Sequence, residues 1–542
     1  MILRYGVRDY PCFFVLFLEG KMKQEEINPI IRLDYPDPDV IRVDDVYYMV
    51  TTTMHFMPGC EILRSYDLVH WEHVTFVYDT LDGTSGQTLT GDQNIYGKGM
   101  WAASLRFYRG TYYICFVAND TGKTYLYTSE RIEGPWKKGH IEGFYHDASL
   151  LFDEKNVYIA YGNKDIYITQ LKPDLSGPLE GGLHRLAVSD TGHPGLGYEG
   201  THFYKINGMY YLFFIHSLRD RWMRVQACFM SDSLEGEFTG GDVLVDDRGY
   251  CGQGVAQGGI VDTPDGAWYA MLFQDHGAVG RIPVLVPITW NGAYPEFGEK
   301  GMIPAEFCVP DGKTEYRYEP LVQSDDFRKE NGLSSAKEKE RYGCFGLKSV
   351  WQFNHEPELS LITIDDDKGI LWMKTDSLCK HLTQAKNTLT QRMSFPGCSG
   401  EVTIDASALE EGDHAGICAL QGCYGMVAVT KRNGHLCIVM KSKLFDHVSV
   451  QEVSADTGDE TEWETVMIDQ SRVKLRIEVD FSEMKDEAKF FYYKDDAWKQ
   501  IGITQKLFFR LDHFTGCRFG LFLYATQKTG GRAGFQNFLY KT

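Results

Sequence analysis

The chain has 542 residues, with 55 Lys and Arg against 75 Asp and Glu, so its net charge is −20. That length is several times the usual domain of roughly 100 to 150 residues, which predicts two sizeable domains, and the charge argues against partners made of nucleic acid or anionic lipid. A hydrophobic content of 43% excludes wholesale disorder, while 14% aromatic residues and 55 glycines point to an all-β protein of strands and tight turns.

Residues 1–26 read as an amino-terminal extension. Residues 11–18 (PCFFVLFL) form its one apolar run, too short to span a membrane and without a small-residue cleavage site after it. Met22 offers a second start just before Ile27-Asn28-Pro29-Ile30, where patterned sequence begins, so residues 1–21 are expected to be an upstream-start artefact.

From residue 27 onward one hairpin signature, turn residues followed by aromatics and an apolar run, occurs five times. The copies are Asp44-Asp45-Val46-Tyr47-Tyr48, Arg109-Gly110-Thr111-Tyr112-Tyr113, Lys155-Asn156-Val157-Tyr158, Asn207-Gly208-Met209-Tyr210-Tyr211 and Asp265-Gly266-Ala267-Trp268-Tyr269. A second element follows three of them: Ser65-Tyr66-Asp67-Leu68 with Trp71, Ser129-Glu130-Arg131-Ile132 with Trp136, and Ser231-Asp232-Ser233-Leu234 with Phe238. Repetition on this scale predicts a β-propeller of five four-stranded blades over residues 27–315.

The first strand of a propeller blade lines the central channel, so residues a fixed distance before each hairpin should face the axis. Ten or eleven residues before the hairpin aromatics stand Asp37, Trp101, Asp147, Glu199 and Gln257. One acid in such a place would normally be a strand-edge residue satisfied by backbone amides. Three at equivalent places confine like charges and cost stability unless chemistry uses them. Glycosidic cleavage needs two carboxyl groups with separated pKa values, and a third can tune the pair. A calcium loop would instead concentrate its oxygen ligands in one short stretch.

Past Pro310-Asp311-Gly312 the hairpin signature ends, and residues 328–341 (RKENGLSSAKEKER) read as a solvated loop. The remaining alternating short strands predict a β-sandwich over residues 316–542. The 13 cysteines form no metal-binding pattern and are expected to be free thiols in a reducing, cytoplasmic setting.

Tyr35-Pro36-Asp37-Pro38, the run from Gly97 to Ser104 (GKGMWAAS), Asp147-Ala148-Ser149-Leu150, and Glu199-Gly200-Thr201-His202-Phe203-Tyr204-Lys205 resemble the family 43 glycoside hydrolases. That likeness extends through Phe56-Met57-Pro58-Gly59, Gln274-Asp275-His276-Gly277 and Gly280-Arg281-Ile282-Pro283, and so covers the whole propeller. Residues 348–357 (KSVWQFNHEP) and Asn387-Thr388-Leu389-Thr390-Gln391-Arg392 resemble the concanavalin-like jelly roll that follows it in xylosidase and arabinofuranosidase members. The resemblance implies an inverting, exo-acting enzyme that releases xylose, arabinofuranose or both from xylan-derived oligosaccharides. Asp37 would be the general base, Glu199 the general acid and Asp147 the residue that raises the acid's pKa. Inversion would set Asp37 and Glu199 roughly 6.5 to 9.5 Å apart.

Arg281 matches a position that binds sugar hydroxyls, its plainer reading being a salt bridge. Trp101 is either a ring-stacking wall or packing between blades. Many members carry Pro where this chain has Ala148, and a channel His where it has Gln257. His276 is a candidate to supply that imidazole. It and His55, before Phe56, would contact substrate or an ordered ion, or else serve as structural histidines. Phe514 is the candidate for a sandwich residue that closes the pocket, core packing being its alternative. No cofactor is expected, and the sequence is compatible with a structural calcium ion and with a homo-oligomer. A binding-only propeller would not need the three matched acids. A retaining fructosidase-type enzyme would need Asn-Asp-Pro-Asn and Arg-Asp-Pro motifs, which are absent.

Overall fold

The structure, a computed structural model, describes residues 21–192, 195–313, 315–330, 343, 345–421, 424–443, 460–510 and 513–542. Most of the charged stretch at 328–341 therefore lies outside the described residues.

Five antiparallel four-stranded sheets succeed one another along the chain. Their first strands, Asp39–Val43, Met100–Tyr108, Ser149–Asp153, Glu199–Ile206 and Ile260–Asp262, gather around one axis. The repeated sequence signatures have local causes. Arg109-Gly110 and Asn207-Gly208 have φ values of 50° and 81°, and of 50° and 84°. Paired positive φ values are what a two-residue hairpin with right-handed strand twist requires. The Ser65, Ser129 and Ser231 hydroxyls accept the N–H of Asp67, Arg131 and Ser233 at 3.1, 3.2 and 3.4 Å, closing the turn that leads to each blade's outer strand. Apolar side chains pack between neighbouring blades, as Val50, Cys60 and Ile62 do against Met100, Leu105 and Phe116.

Two boundaries differ from the sequence expectation. Met22–Lys23 pairs with Glu306–Phe307, so part of the segment expected to be an extension belongs to the fold. At the other end Tyr316 packs on Tyr66 and the Glu319 N–H donates to Glu72 Oε2 at 2.9 Å, which keeps the chain on the propeller beyond 315. The sandwich is entered at Asp325, whose N–H donates to the Phe538 carbonyl at 2.8 Å. Aromatic turns that carry no blade signature still bury area against blade one, which the repeat could not register.

The sandwich consists of two eight-stranded sheets around a core that includes Val402, Ile404, Ile417, Leu475, Phe490, Leu521 and Phe535. It interlocks with the propeller at two places. Phe56–Met57, inserted within blade one, pairs with Gln352–Asn354 as an edge strand of one sandwich sheet. Ala278 and Val279, at the turn between two strands of blade five, are buried in the sandwich core. Between these anchors Arg392 pairs with Glu61 at 2.8 Å and donates to the Asp34 carbonyl at 2.9 Å, all buried. These contacts fix the sandwich over the propeller end where the first strands begin.

Candidate active site

At that end the backbone turns sharply. Asp37, Asp147 and Gln257 adopt left-handed φ values of 52°, 47° and 57°, and the innermost strands of blades two and four are bulged at Trp101–Ser104 and Glu199–His202. A left-handed non-glycine residue costs about 1 to 2 kcal/mol, and such strain concentrates at functional sites. The five positions singled out by the repeat thus share a departure from regular strand geometry.

Asp37 is buried and held by two donors. The Thr52 hydroxyl donates to Oδ2 at 2.7 Å, and Arg281 Nη1 pairs with Oδ1 at 2.9 Å. Burial pushes the Asp37 carboxyl upward, while Arg281 and then Thr52 draw it back, leaving a net rise. Asp147 accepts the Gly200 N–H on Oδ2 at 2.9 Å. Gly200 is required there, because its φ is 64° and a Cβ would lie 2.4 Å from the Gln257 side chain. Glu199 accepts from the Asn163 amide at 2.6 Å, and its carboxyl lies within 4.8 Å of that of Asp147. Burial first, then the neighbouring Asp147, push Glu199 up to about 8. At neutral pH Glu199 therefore carries a proton to donate, beside an Asp37 paired with a cation. These are the separated roles that acid–base cleavage of a glycoside needs.

The walls come from both domains. Trp101 stacks on Phe514 with centroids 5.4 Å apart, and the Arg281 guanidinium lies 4.7 Å from the Phe514 ring centre. Asp34 sets this arrangement, its carboxylate accepting the backbone N–H of Arg281 at 2.8 Å and of Gly516 at 2.7 Å. One buried acid thus ties the strand carrying Arg281 to the sandwich loop carrying Phe514. Gln257 packs against Gly200, and its N–H donates to Gln226 at 2.7 Å.

The other three candidates lie at the seam between the domains. His276 stacks on Tyr250 at 4.1 Å and meets Phe395 edge-on at 4.7 Å, and burial and then Arg248 bring it down to about 3, a neutral packing residue. His55 is buried against Phe56, Tyr96 and His355 and bonds Asn354 at 3.1 Å. Phe56 lies under the Arg518 guanidinium at 3.5 Å. None of these contacts reaches the three acids, so His276 does not stand in for the missing channel imidazole.

Four residues escaped the sequence reading. Arg224, paired with Asp275, sits in the field of Glu199, and burial with Arg281 lowers it to about 10. Its position opens the third strand of blade four, where the repeat carries no signal. Asp275 was adjacent to the His276 that drew attention. Asp34, three residues before Asp37, and Asn163 make their contacts only through the fold.

Among the described residues one cluster of converging His and carboxylate donors is found: His146, Asp147 and Glu199. Calcium takes six to eight oxygen ligands. This set offers two carboxylates and a nitrogen, and both carboxylates belong to the reacting trio, so it does not fit a resident calcium ion.

A propeller whose channel holds an arginine-paired carboxylate and a protonated glutamic acid defines a glycoside hydrolase. The profile of "Glycosyl hydrolases family 43" matches residues 27–294, and that of the "Beta xylosidase C-terminal Concanavalin A-like domain" matches residues 345–541. The chain belongs to glycoside hydrolase family 43. It is similar to a β-xylosidase of Formosa agariphila, with 26% identity over 74% of each chain. A non-reducing end α-L-arabinofuranosidase of Bacteroides ovatus is 25% identical over 78% of this chain and 79% of its own. Among solved structures, a bifunctional GH43-CE of Bacteroides eggerthii superposes with a TM-score of 0.85 at 39% identity, over 95% of this chain. This chain spans 63% of that larger one.

Proposed function

We propose that the enzyme removes single xylose or arabinofuranose units from the non-reducing ends of xylan-derived oligosaccharides, with inversion. The observation that carries this reading is the pairing of Asp37 with Arg281 beside a Glu199 pushed up to about 8, under the sandwich residue Phe514. Asp37 draws a proton from water as it attacks the anomeric carbon. Glu199 gives its proton to the glycosidic oxygen as that bond breaks, and Asp147 keeps the proton on Glu199 until then. Phe514 and Trp101 wall one side of the channel, which suits a terminal sugar better than a chain running through. The similar β-xylosidases and the arabinofuranosidase support both sugars as candidates. A cytoplasmic place is part of the proposal, since the ten described cysteines are free thiols, as a reducing compartment keeps them.

The test is hydrolysis of aryl β-D-xylopyranoside and aryl α-L-arabinofuranoside by wild type and Asp37→Ala. Turnover of either, abolished in the variant, is expected. Turnover of neither by wild type would move the substrate to another glycan.

A further inference from the structure

Asn163 ends the strand Asn156–Asn163 of blade three, and its amide nitrogen donates to Glu199 Oε2, on the neighbouring blade, at 2.6 Å. An asparagine at a tight turn commonly bonds its own backbone two residues on. Here the side chain crosses to the next blade instead, and because Asn163 is exposed no packing demand explains an amide at that place. The turn that carries it is pinned on both sides. Asn163 pairs with Asp165, leaving Lys164 alone at the tip with a left-handed φ of 68°. Gly162 has a φ of 144°, and a Cβ on it would lie 2.0 Å from the Asp165 carbonyl oxygen, so only glycine allows this reversal. The Gly162 N–H donates at 3.0 Å to the carbonyl of His146, the residue before Asp147, and the Lys164 N–H donates at 2.7 Å to the carbonyl of Tyr198, the residue before Glu199. One turn thus ties together the backbone at both acids and holds the Asn163 amide at a fixed reach from Glu199.

We propose that Asn163 is a positioning residue for the general acid: its amide reserves Oε2 of Glu199 as an acceptor, so that the acidic proton sits on Oε1 and is presented to the glycosidic oxygen. This rests on the proposed function above. A protonated carboxyl has one O–H and one bare oxygen, and an N–H donor can face only the bare one. With Oε2 engaged at 2.6 Å, the carboxyl is held from turning over and exchanging its two oxygens, and the proton keeps one direction. Orientation of a reacting group raises the rate of the chemical step without tightening the hold on substrate. The same donor favours the ionised carboxyl, so it works mildly against Asp147 on the proton's retention while fixing where that proton points.

The experiment measures kcat and KM against pH for wild type, Asn163→Ala and Asn163→Asp on xylobiose and on 2,4-dinitrophenyl β-D-xylopyranoside, whose leaving group needs little protonation, or on the corresponding α-L-arabinofuranosides if wild type releases arabinofuranose. Both variants should lose roughly thirtyfold or more on the disaccharide near neutral pH, through kcat rather than KM, and less than about threefold on the aryl glycoside. Asn163→Asp keeps the shape of the side chain and removes the donor, so its loss separates the hydrogen bond from packing. In Asn163→Ala the alkaline limb on the disaccharide should rise by about half a pH unit, because a donor to the ionised carboxyl is gone. Equal losses on both substrates, an alkaline limb that stays or falls, or a wild-type rate in either variant would overturn the inference alone, in a wild type that hydrolyses both substrates. A wild type that hydrolyses neither pentoside would overturn the proposed function and this inference with it.

Discussion

Replacing Asp147 by Asn tests the electrostatic argument with little change in shape. The Asn side-chain oxygen can still accept the Gly200 N–H, so the turn that holds both residues is preserved. What is lost is one negative charge within 4.8 Å of the Glu199 carboxyl. Two unit charges at that separation, in an effective dielectric of about 20, interact by about 3.5 kcal/mol. At about 1.4 kcal/mol per pH unit this sets a ceiling of about 2.5 pH units on the displacement. Burial, the larger cause of the Glu199 rise, stays in the variant, and Arg224 opposes it in both proteins. The alkaline limb of kcat/KM, measured against pH on an unactivated xylo-oligosaccharide, should therefore fall by about one to two pH units from a wild-type position near pH 8. Activity at the alkaline side should drop far more than activity near pH 5. A variant that loses activity evenly at every pH, with the limb unmoved, would refute the assignment of Asp147 as the group that sustains the acid.

Other substitutions probe separate parts of the account. Arg281→Met leaves the buried Asp37 carboxylate without its cation, so the acid limb of the profile should move to higher pH, and stability should fall by about 3 to 5 kcal/mol in urea unfolding. Glu199→Gln should affect stability in a pH-dependent way. A folded-state pKa of about 8 against an ordinary 4.5 means that the wild type loses stability as pH rises between those values, so the variant should melt higher than wild type above pH 8 and nearly with it at pH 4.5. His276→Ala removes a buried ring from between Tyr250 and Phe395 and should cost about 2 kcal/mol or more in unfolding, while the folded enzyme keeps a kcat/KM close to wild type.

The sequence was most legible where one structural demand recurs. Five hairpins each need turn residues that tolerate positive φ, and that demand writes itself into the chain five times, which counted the blades and pointed to Asp37, Asp147 and Glu199 by position. Residues that act once, through the fold, leave no such trace. Asp34 looks like any acid near a proline, yet it holds the N–H of Arg281 and of Gly516, residues 247 and 482 positions away. Arg224 and Asp275 come from two blades. His276 was singled out because an imidazole was sought and its neighbours along the chain were suggestive, but burial among aromatics decides its role. Phe514, which stacks on Trp101 and lies under Arg281, was singled out because the jelly-roll resemblance implied a closing loop, not because anything in its own surroundings marked it.

The central claim is that water, activated by Asp37, attacks opposite a leaving group protonated by Glu199. The most direct measurement is proton NMR of the sugar first released from an aryl β-D-xylopyranoside or an aryl α-L-arabinofuranoside, recorded faster than the anomers equilibrate. The account predicts α-xylose from the xyloside, or β-arabinofuranose from the arabinofuranoside, with the signal absent in Asp37→Ala. Product of the same configuration as the substrate would mean a covalent glycosyl-enzyme and would contradict the assignment of Asp37 as a base.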